Sequence, residues 1–301
     1  MQDITDLIGH TPLVRLRHTD APATILVKPE GLNPGGSAKD RVALAIVEDA
    51  ERRGRLEPGG AIIEATSGNT GVSLAMVAAA RGYRCIIVMP ESMSIERRRL
   101  LAAYGAQVVL TRAEDGMAGA IRRAEEVHRS TSGSILANQF SNPANPAAHA
   151  ATTGPEIWAD TAGRVDAFVA GIGTGGTVTG VGRYLKGRNS AIRIVGVEPA
   201  DSPLLTKGYA GAHPLQGIGA NFMPDVLDLS VLDEVIPVKS EVAFAAMRRL
   251  VRQEGILAGI TSGAAAWAAM QLANRPEFAG KTIVALLPDA GERYLSTGLL
   301  D

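Results

Sequence analysis

Short uninterrupted apolar runs alternate along this chain with longer stretches in which apolar residues return every three or four positions. The runs at 61–65, 85–89, 107–110, 135–137, 167–170, 192–197 and 282–287 are rich in Ile, Val, Leu and Ala and too short for helices, which predicts buried strands. Helical periodicity occupies 70–81, 95–104, 117–130, 147–160, 176–186, 241–254 and 263–274, together with the segment that follows Ser37. Such alternation predicts an α/β protein built on mostly parallel twisted sheets flanked by helices. The segment from Ser240 shows the local logic. Ser240 is expected to cap a helix, Glu241 favours its positive end, Val242, Ala246 and Leu250 recur every four residues, and Gly255 closes it.

Two strand–helix arrays emerge, at about 59–142 and about 163–301, joined by "FSNPANPAAH". A chain of 301 residues is long for one core, so two lobes around a cleft are expected. Their boundaries are read as 40–142 for the smaller lobe and 1–39 plus 143–301 for the larger. The first 40 residues fit neither array cleanly. Ligands of such sheets bind beyond the carboxyl ends of the strands, which directs attention to the loops that follow them.

Composition narrows the chemistry. Thirty Lys+Arg against 31 Asp+Glu leave a net charge of −1 and no electrostatic footprint for nucleic acid. The run Arg97-Arg98-Arg99 reads as a solvated helix face. The lone Cys85, inside "RCIIVMP", is expected to be a buried small hydrophobe rather than a nucleophile. A secretory leader and an 18-residue apolar span are both missing from the pattern, so a soluble cytoplasmic protein is expected. The five histidines lack metal-ligand spacing, and His10 and His149 read as structural hydrogen-bonding residues; no metal is expected. Neither a G-x-S-x-G elbow nor a Walker loop occurs, since "NPGGSAKD" lacks the G-K-[ST] ending.

Four loops carry candidate chemistry. In "LNPGGSAKDR", Lys39 falls in the first turn of a helix, where the dipole disfavours a cation and tolerates a neutral amine or a Schiff base. A surface lysine following a cap is the simpler alternative there. In "EATSGNTG", Thr66, Ser67, Asn69 and Thr70 add side-chain donors to the free N–H groups of a helix start, a pocket for a carboxylate. "GIGTGGT", residues 171–177, satisfies the G-x-G-x-x-G pattern with Glu198 downstream, which by itself suggests a dinucleotide enzyme. Thr174 and Thr177, however, interleave the glycines, and hydroxyls there suit a terminal phosphate dianion. In "GITSGAAA", Ser262 offers one neutral hydroxyl or a simple cap. A Schiff-base lysine, a carboxylate pocket, a phosphate loop and a neutral hydroxyl together suit pyridoxal 5′-phosphate and an amino-acid substrate. An NAD-dependent dehydrogenase would leave Lys39 and the 64–71 loop without a task.

The chain also resembles the cysteine synthases (O-acetylserine sulfhydrylases) of the fold-type II pyridoxal-phosphate enzymes, related in fold to the tryptophan synthase β subunit. The likeness runs through "IGHTPLVRL", "NPGGSAKDR", "EATSGNTG", "MPESMSIERRRLLAAYGA", "NQFSNPANPAAHAATTGPEIW", "GIGTGGTVTG", "LQGIGANF", "EGILAGITSGAA" and "GERYLSTG". "NPGGSAKDR" is similar to the B type, whereas "GIGANF" and "EGILAGITSG" are equally similar to the A type. The resemblance implies L-cysteine formation from O-acetyl-L-serine and sulfide or thiosulfate through an aminoacrylate intermediate. A related enzyme using O-phosphoserine or another activated serine is the nearest alternative.

It further implies that Lys39 forms the Schiff base and serves as acid and base at Cα, that Asn69 meets the cofactor's ring oxygen, and that Ser262 meets its pyridine nitrogen. Gly173, Thr174, Gly175, Gly176 and Thr177 would bind its phosphate. Thr66, Ser67, Asn69, Thr70 and Gln139 would hold the substrate, chiefly its carboxylate, with Met93 and Met117 at the border and Gly217 to Gly219 on the acetyl side. The 40–142 lobe would carry the substrate carboxylate and the larger one the cofactor phosphate, with closure excluding water. A homodimer and, for A-type members, a docked serine acetyltransferase tail belong to the same resemblance. Two positions depart from the family: His10 replaces an Asn, and Gln216 stands where phosphoserine users are expected to have Arg.

Overall fold

In the computed structural model, which describes residues 3–92 and 95–300, the first strands are β1 (Val14–Arg15) and β2 (Thr24–Pro29). The apolar pattern misses β2 because Lys28 and Pro29 interrupt it. Lys28 is fully buried, and its ammonium lies 2.8 Å from a Glu156 carboxylate oxygen and 2.7 Å from the Thr11 carbonyl. That pairing makes a charged strand residue tolerable, since a lone ammonium there would be strongly unfavourable.

The chain divides into two units. Unit 1 holds Met1–Ile8 and Lys39–Asn145, and unit 2 holds Gly9–Ala38 and Pro146–Asp301. The amino-terminal stretch, read above as part of the larger lobe, is thus split at Ile8.

Unit 1 contains α1 (Lys39–Arg52), β3 (Ala61–Ala65), α2 (Asn69–Arg81), β4 (Arg84–Pro90), α3 (Ile95–Ala103), β5 (Gln107–Thr111), α4 (Gly116–Ser130) and β6 (Ser134–Leu136), and it ends inside α5 (Ala144–Ala151). Its sheet has the order β5-β4-β3-β6 with every pair parallel. Alternation along β3 sends Ile62 into a core with Val42, Val47 and Leu74, and Ile63 into a second core with Ala120 and Ala124. A strand buried on both faces must be apolar almost throughout, which is why β3 and β4 were legible as continuous runs.

Unit 2 adds α6 (Thr153–Asp160), β7 (Ala167–Gly171), α7 (Gly176–Arg188), β8 (Arg193–Pro199), α8 (Leu204–Lys207), β9 (Glu234–Val238), α9 (Ser240–Glu254), α10 (Ile260–Ala273) and β10 (Thr282–Leu287). The sheet order is β1-β2-β10-β7-β8-β9, with β1 antiparallel to β2 and the other pairs parallel. The edge strand β9 contains Pro237, a residue that strands accept at an edge but that hides them from pattern reading. Helix α10 is buried nearly all round, as a helix without a polar face must be.

Two local expectations are corrected. The helix predicted over 147–160 is two helices broken at Thr152, because Pro155 in the first turn of α6 has no N–H to continue α5 and would crowd the preceding turn. Ser240 does not cap α9: Lys239 occupies that position, and the Ser240 hydroxyl lies 3.3 Å from Asp201 Oδ2. Gly255, with φ +68°, does end the helix in the left-handed conformation.

Candidate active site

In unit 2, β7 leads through Ile172 to Gly175 into the start of α7. Gly175 has φ +81°, and the first turn of α7 carries no acidic side chain, leaving free N–H groups and the positive dipole end for an anion. A Cβ on Gly173 would stand 2.3 Å from the Gly217 carbonyl oxygen, so glycine is required by the loop packed against it. That second loop is fixed by the Gly219 N–H, which donates to the Ile172 carbonyl at 2.9 Å. Gly217 in turn lies beside Thr261, whose methyl is 3.7 Å from where its Cβ would be. The fold therefore gathers 173–177, Gly217 and the first turn of α10 in one place.

Each hydroxyl of this cluster has a distinct setting. Thr174 is buried, and its Oγ1 accepts the Gly176 N–H at 3.3 Å. Thr177 Oγ1 lies 3.2 Å from His149 Nε2, and His149 Nδ1 lies 2.8 Å from Thr153 Oγ1. The buried His149 therefore fixes the orientation of Thr177, a support that sequence reading missed because the two are 28 positions apart. Thr179 is engaged elsewhere, accepting the Asp228 N–H at 2.9 Å. Ser262, third in α10, has no solvent exposure, and its Oγ has no hydrogen-bond partner among the described residues.

Glu198, the acid that completes the dinucleotide pattern, is spent on the protein itself. It is buried and accepts the N–H groups of Leu205 and Thr206 at 2.8 and 3.1 Å and the Thr206 hydroxyl at 2.5 Å. His10 has φ +49°, a region where Asn and His are among the better tolerated non-glycine residues, so the two fit the same turn.

In unit 1, Lys39 is the half-buried first residue of α1. Strand β3 ends at Ala65, and Thr66 to Gly68 turn into α2, whose first residues are Asn69 and Thr70. Thr66 is buried and its Oγ1 accepts the Gly68 N–H at 3.2 Å, while Ser67 and Asn69 are half-buried. The first turn of α2 also lacks an acidic side chain. Buried Thr70 donates its hydroxyl proton to Gln139 Oε1 at 2.6 Å, joining two predicted residues 69 positions apart.

Arg97 corrects the solvated-face reading of its basic run. Its guanidinium is half-buried and donates to the Ser67 carbonyl at 2.6 Å, and Arg98 donates to the Glu91 carbonyl. Met117 stands exposed in the first turn of α4, and Met93 lies outside the described residues. Burial pushes the Cys85 thiol up to about 12, which makes it inert. Burial likewise lifts Glu64, beneath the Thr66 turn, to about 7.

The donors suit a phosphorylated ring cofactor. A glycine-lined helix start with Thr174 and Thr177 offers hydrogen bonds to a phosphate. The unpartnered Ser262 hydroxyl, which in a dry interior costs about 1–3 kcal/mol, calls for a ligand atom such as a ring nitrogen. Among the described residues, no group of three or more His, Cys, Asp or Glu lies together, and no helix is long and apolar enough to cross a membrane.

Comparison with known proteins agrees with this chemistry. Residues 4–289 match a family described as pyridoxal-phosphate dependent enzyme. The chain is 53% identical to cysteine synthase A of Escherichia coli strain K12, over 99% of this chain and 95% of that protein. It superimposes on the cysteine synthase of Entamoeba histolytica with a TM-score of 0.96 at 45% identity, covering 99% of this chain and 90% of that one. An O-ureido-L-serine synthase gives the same TM-score at 47% identity, covering 100% and 95%.

Proposed function

Because the chain belongs to the family of pyridoxal-phosphate dependent enzymes, we propose that it makes L-cysteine from O-acetyl-L-serine and sulfide or thiosulfate, replacing a group on the β-carbon of serine. The observation that carries this reading is the buried Ser262 hydroxyl, without a hydrogen-bond partner among the described residues, next in sequence to Thr261, which lies beside Gly217. Bound pyridoxal phosphate supplies an electron-withdrawing ring that acidifies the Cα proton of an attached amino acid.

The residues divide the work. Gly173, Thr174, Gly175, Gly176 and Thr177 hold the phosphate through backbone N–H groups and hydroxyls. Ser262 would offer the pyridine nitrogen a neutral hydroxyl rather than a charged partner, a setting that would favour loss of a β-substituent over transamination. Lys39, the first residue of α1, would hold the cofactor through its side-chain amine and would move the Cα proton of the substrate. Asn69 orients the ring oxygen, while Thr66, Ser67, Thr70 and Gln139 receive the substrate carboxylate at the start of α2. Gly217 borders the acetyl group.

Gln216 provides no cation for a phosphate leaving group, which favours acetylserine over phosphoserine. The likeness to an O-ureido-L-serine synthase makes the nucleophile the point to test. Absorbance of the cofactor-loaded protein, titrated with O-acetylserine and then sulfide, should change and return as cysteine forms; thiosulfate and hydroxyurea serve as competing nucleophiles. A chain that stays colourless with pyridoxal phosphate yet binds NAD would refute the reading. Light scattering, a serine acetyltransferase tail peptide and cell fractionation test the accompanying homodimer, docking partner and cytoplasmic location.

A further inference from the structure

Two buried threonines bound the Thr66–Thr70 turn of unit 1, and their hydroxyl protons are placed differently. Thr70 gives its proton to Gln139 Oε1 at 2.6 Å. Thr66 Oγ1 accepts the Gly68 N–H at 3.2 Å, and among the described residues its own proton has no acceptor. A buried donor left unmet is costly, so the Thr66 hydroxyl is the one poised to donate to a ligand.

The peptide that supplies the Gly68 N–H is also held from its other side. Its carbonyl, that of Ser67, accepts a hydrogen bond from the half-buried Arg97 guanidinium at 2.6 Å. Arg97 to the Ser67 carbonyl and the Gly68 N–H to Thr66 Oγ1 thus run in one direction and end at the Thr66 proton. Hydrogen bonds in such a chain polarise one another, and a cation at its head makes the terminal O–H a better donor to an anion. The neighbouring arginines are placed otherwise: Arg98 donates to the Glu91 carbonyl and Arg99 is exposed.

Gly68 leaves this peptide room to turn over. It gives α2 no side-chain cap, and a Cβ built on it would meet, apart from its chain neighbours, nothing nearer than Thr66 Oγ1 at 3.9 Å. A half-turn of the peptide would carry its φ from −107° into the positive range that glycine accepts. The Ser67 carbonyl would then point at Thr66 and take its proton, and the pocket would lose a donor.

Taking the carboxylate-pocket reading above as its basis, we propose that Arg97 is a positioning residue for the substrate carboxylate. By holding the Ser67 carbonyl it fixes the direction of the Ser67–Gly68 peptide and keeps the Thr66 hydroxyl a donor. Its charge reaches the ligand through that peptide and that hydroxyl.

The test is binding of propionate, which has no amine to displace Lys39, to the cofactor-loaded protein, followed by the cofactor's absorbance. Arg97→Met should weaken propionate about tenfold, Arg97→Lys should restore most of the loss, and Arg99→Met should bind like the wild type. Affinity for pyridoxal phosphate and the circular dichroism spectrum should stay unchanged, and KM for O-acetylserine should rise far more than kcat falls. Because the effect runs through Thr66, adding Arg97→Met to Thr66→Val should cost little more than Thr66→Val alone. Wild-type propionate affinity in Arg97→Met, an equal loss in Arg99→Met, or full additivity with Thr66→Val overturns the proposal and leaves the pocket reading standing. If Arg97→Met does not fold, the gentler Arg97→Lys decides: an unfolded or propionate-blind Arg97→Lys also overturns the proposal. Propionate binding unaffected by both Thr66→Val and Thr70→Val overturns the pocket reading itself, and the proposal with it.

Discussion

Ser262 offers the sharpest quantitative test, because replacing it by Ala should stabilise the protein while weakening cofactor binding. The side chain is fully buried and its hydroxyl has no partner among the described residues. Without cofactor, removing it abolishes a desolvation penalty of about 1–3 kcal/mol. The void left is smaller than a methyl group and costs less than about 1 kcal/mol. Alanine is also the better residue inside a helix, by a few tenths of a kcal/mol, roughly. The cofactor-free variant should therefore gain about 1–2 kcal/mol, and at roughly 2–4 °C per kcal/mol for a unit of this size its melting temperature should rise by about 2–8 °C. With pyridoxal phosphate, the variant forfeits a neutral hydrogen bond of about 0.5–1.5 kcal/mol, weakening cofactor affinity about 2- to 12-fold. Scanning calorimetry of both forms and absorbance titration with pyridoxal phosphate measure the two effects. A cofactor-free Ser262→Ala that melts lower than the wild type, with unchanged cofactor affinity, would show that the hydroxyl is satisfied within the protein and that the cofactor assignment lacks its main support.

Other perturbations separate the remaining parts. Gly173→Ala forces a methyl to within 2.3 Å of the Gly217 carbonyl, so the loop must move; cofactor affinity should fall by at least about tenfold with the circular dichroism spectrum retained. Lys39→Ala should lower turnover by roughly a thousandfold or more while pyridoxal phosphate still binds, and near wild-type turnover would reassign the lysine. Glu156→Ala removes the carboxylate that pairs with the buried Lys28 ammonium and leaves it the Thr11 carbonyl, and urea unfolding should report a loss of about 3–5 kcal/mol. Glu64 links stability to pH: its folded pKa of about 7 exceeds the reference 4.5, so between these values the folded chain holds a proton the unfolded chain has lost. Its contribution to stability falls as pH rises through that window, by about 3 kcal/mol in all, and a wild-type minus Glu64→Gln difference that stays flat from about pH 5 to 8 contradicts this.

Much of this molecule could be read without coordinates, for a definite reason. Strands buried on both faces need near-continuous apolar runs, so β3, β4, β7 and β10 announced themselves, and Gly175 and Gly255 marked turns that demand a left-handed backbone. The chemistry proposed for Lys39, the Thr66–Thr70 turn and the 173–177 loop can be read from sequence because each feature is local, a few donors ahead of one helix start. What the sequence left undecided depends on partners distant along the chain. Strand β2 needs Glu156 to neutralise Lys28, and Thr177 needs His149 to orient it. Arg97 left its expected solvent face for the Ser67 carbonyl, and Glu198 was withdrawn from the dinucleotide pattern by the backbone of α8. Only tertiary structure makes these pairings, because burial sets what an unpaired polar group costs and no one-dimensional spacing encodes it.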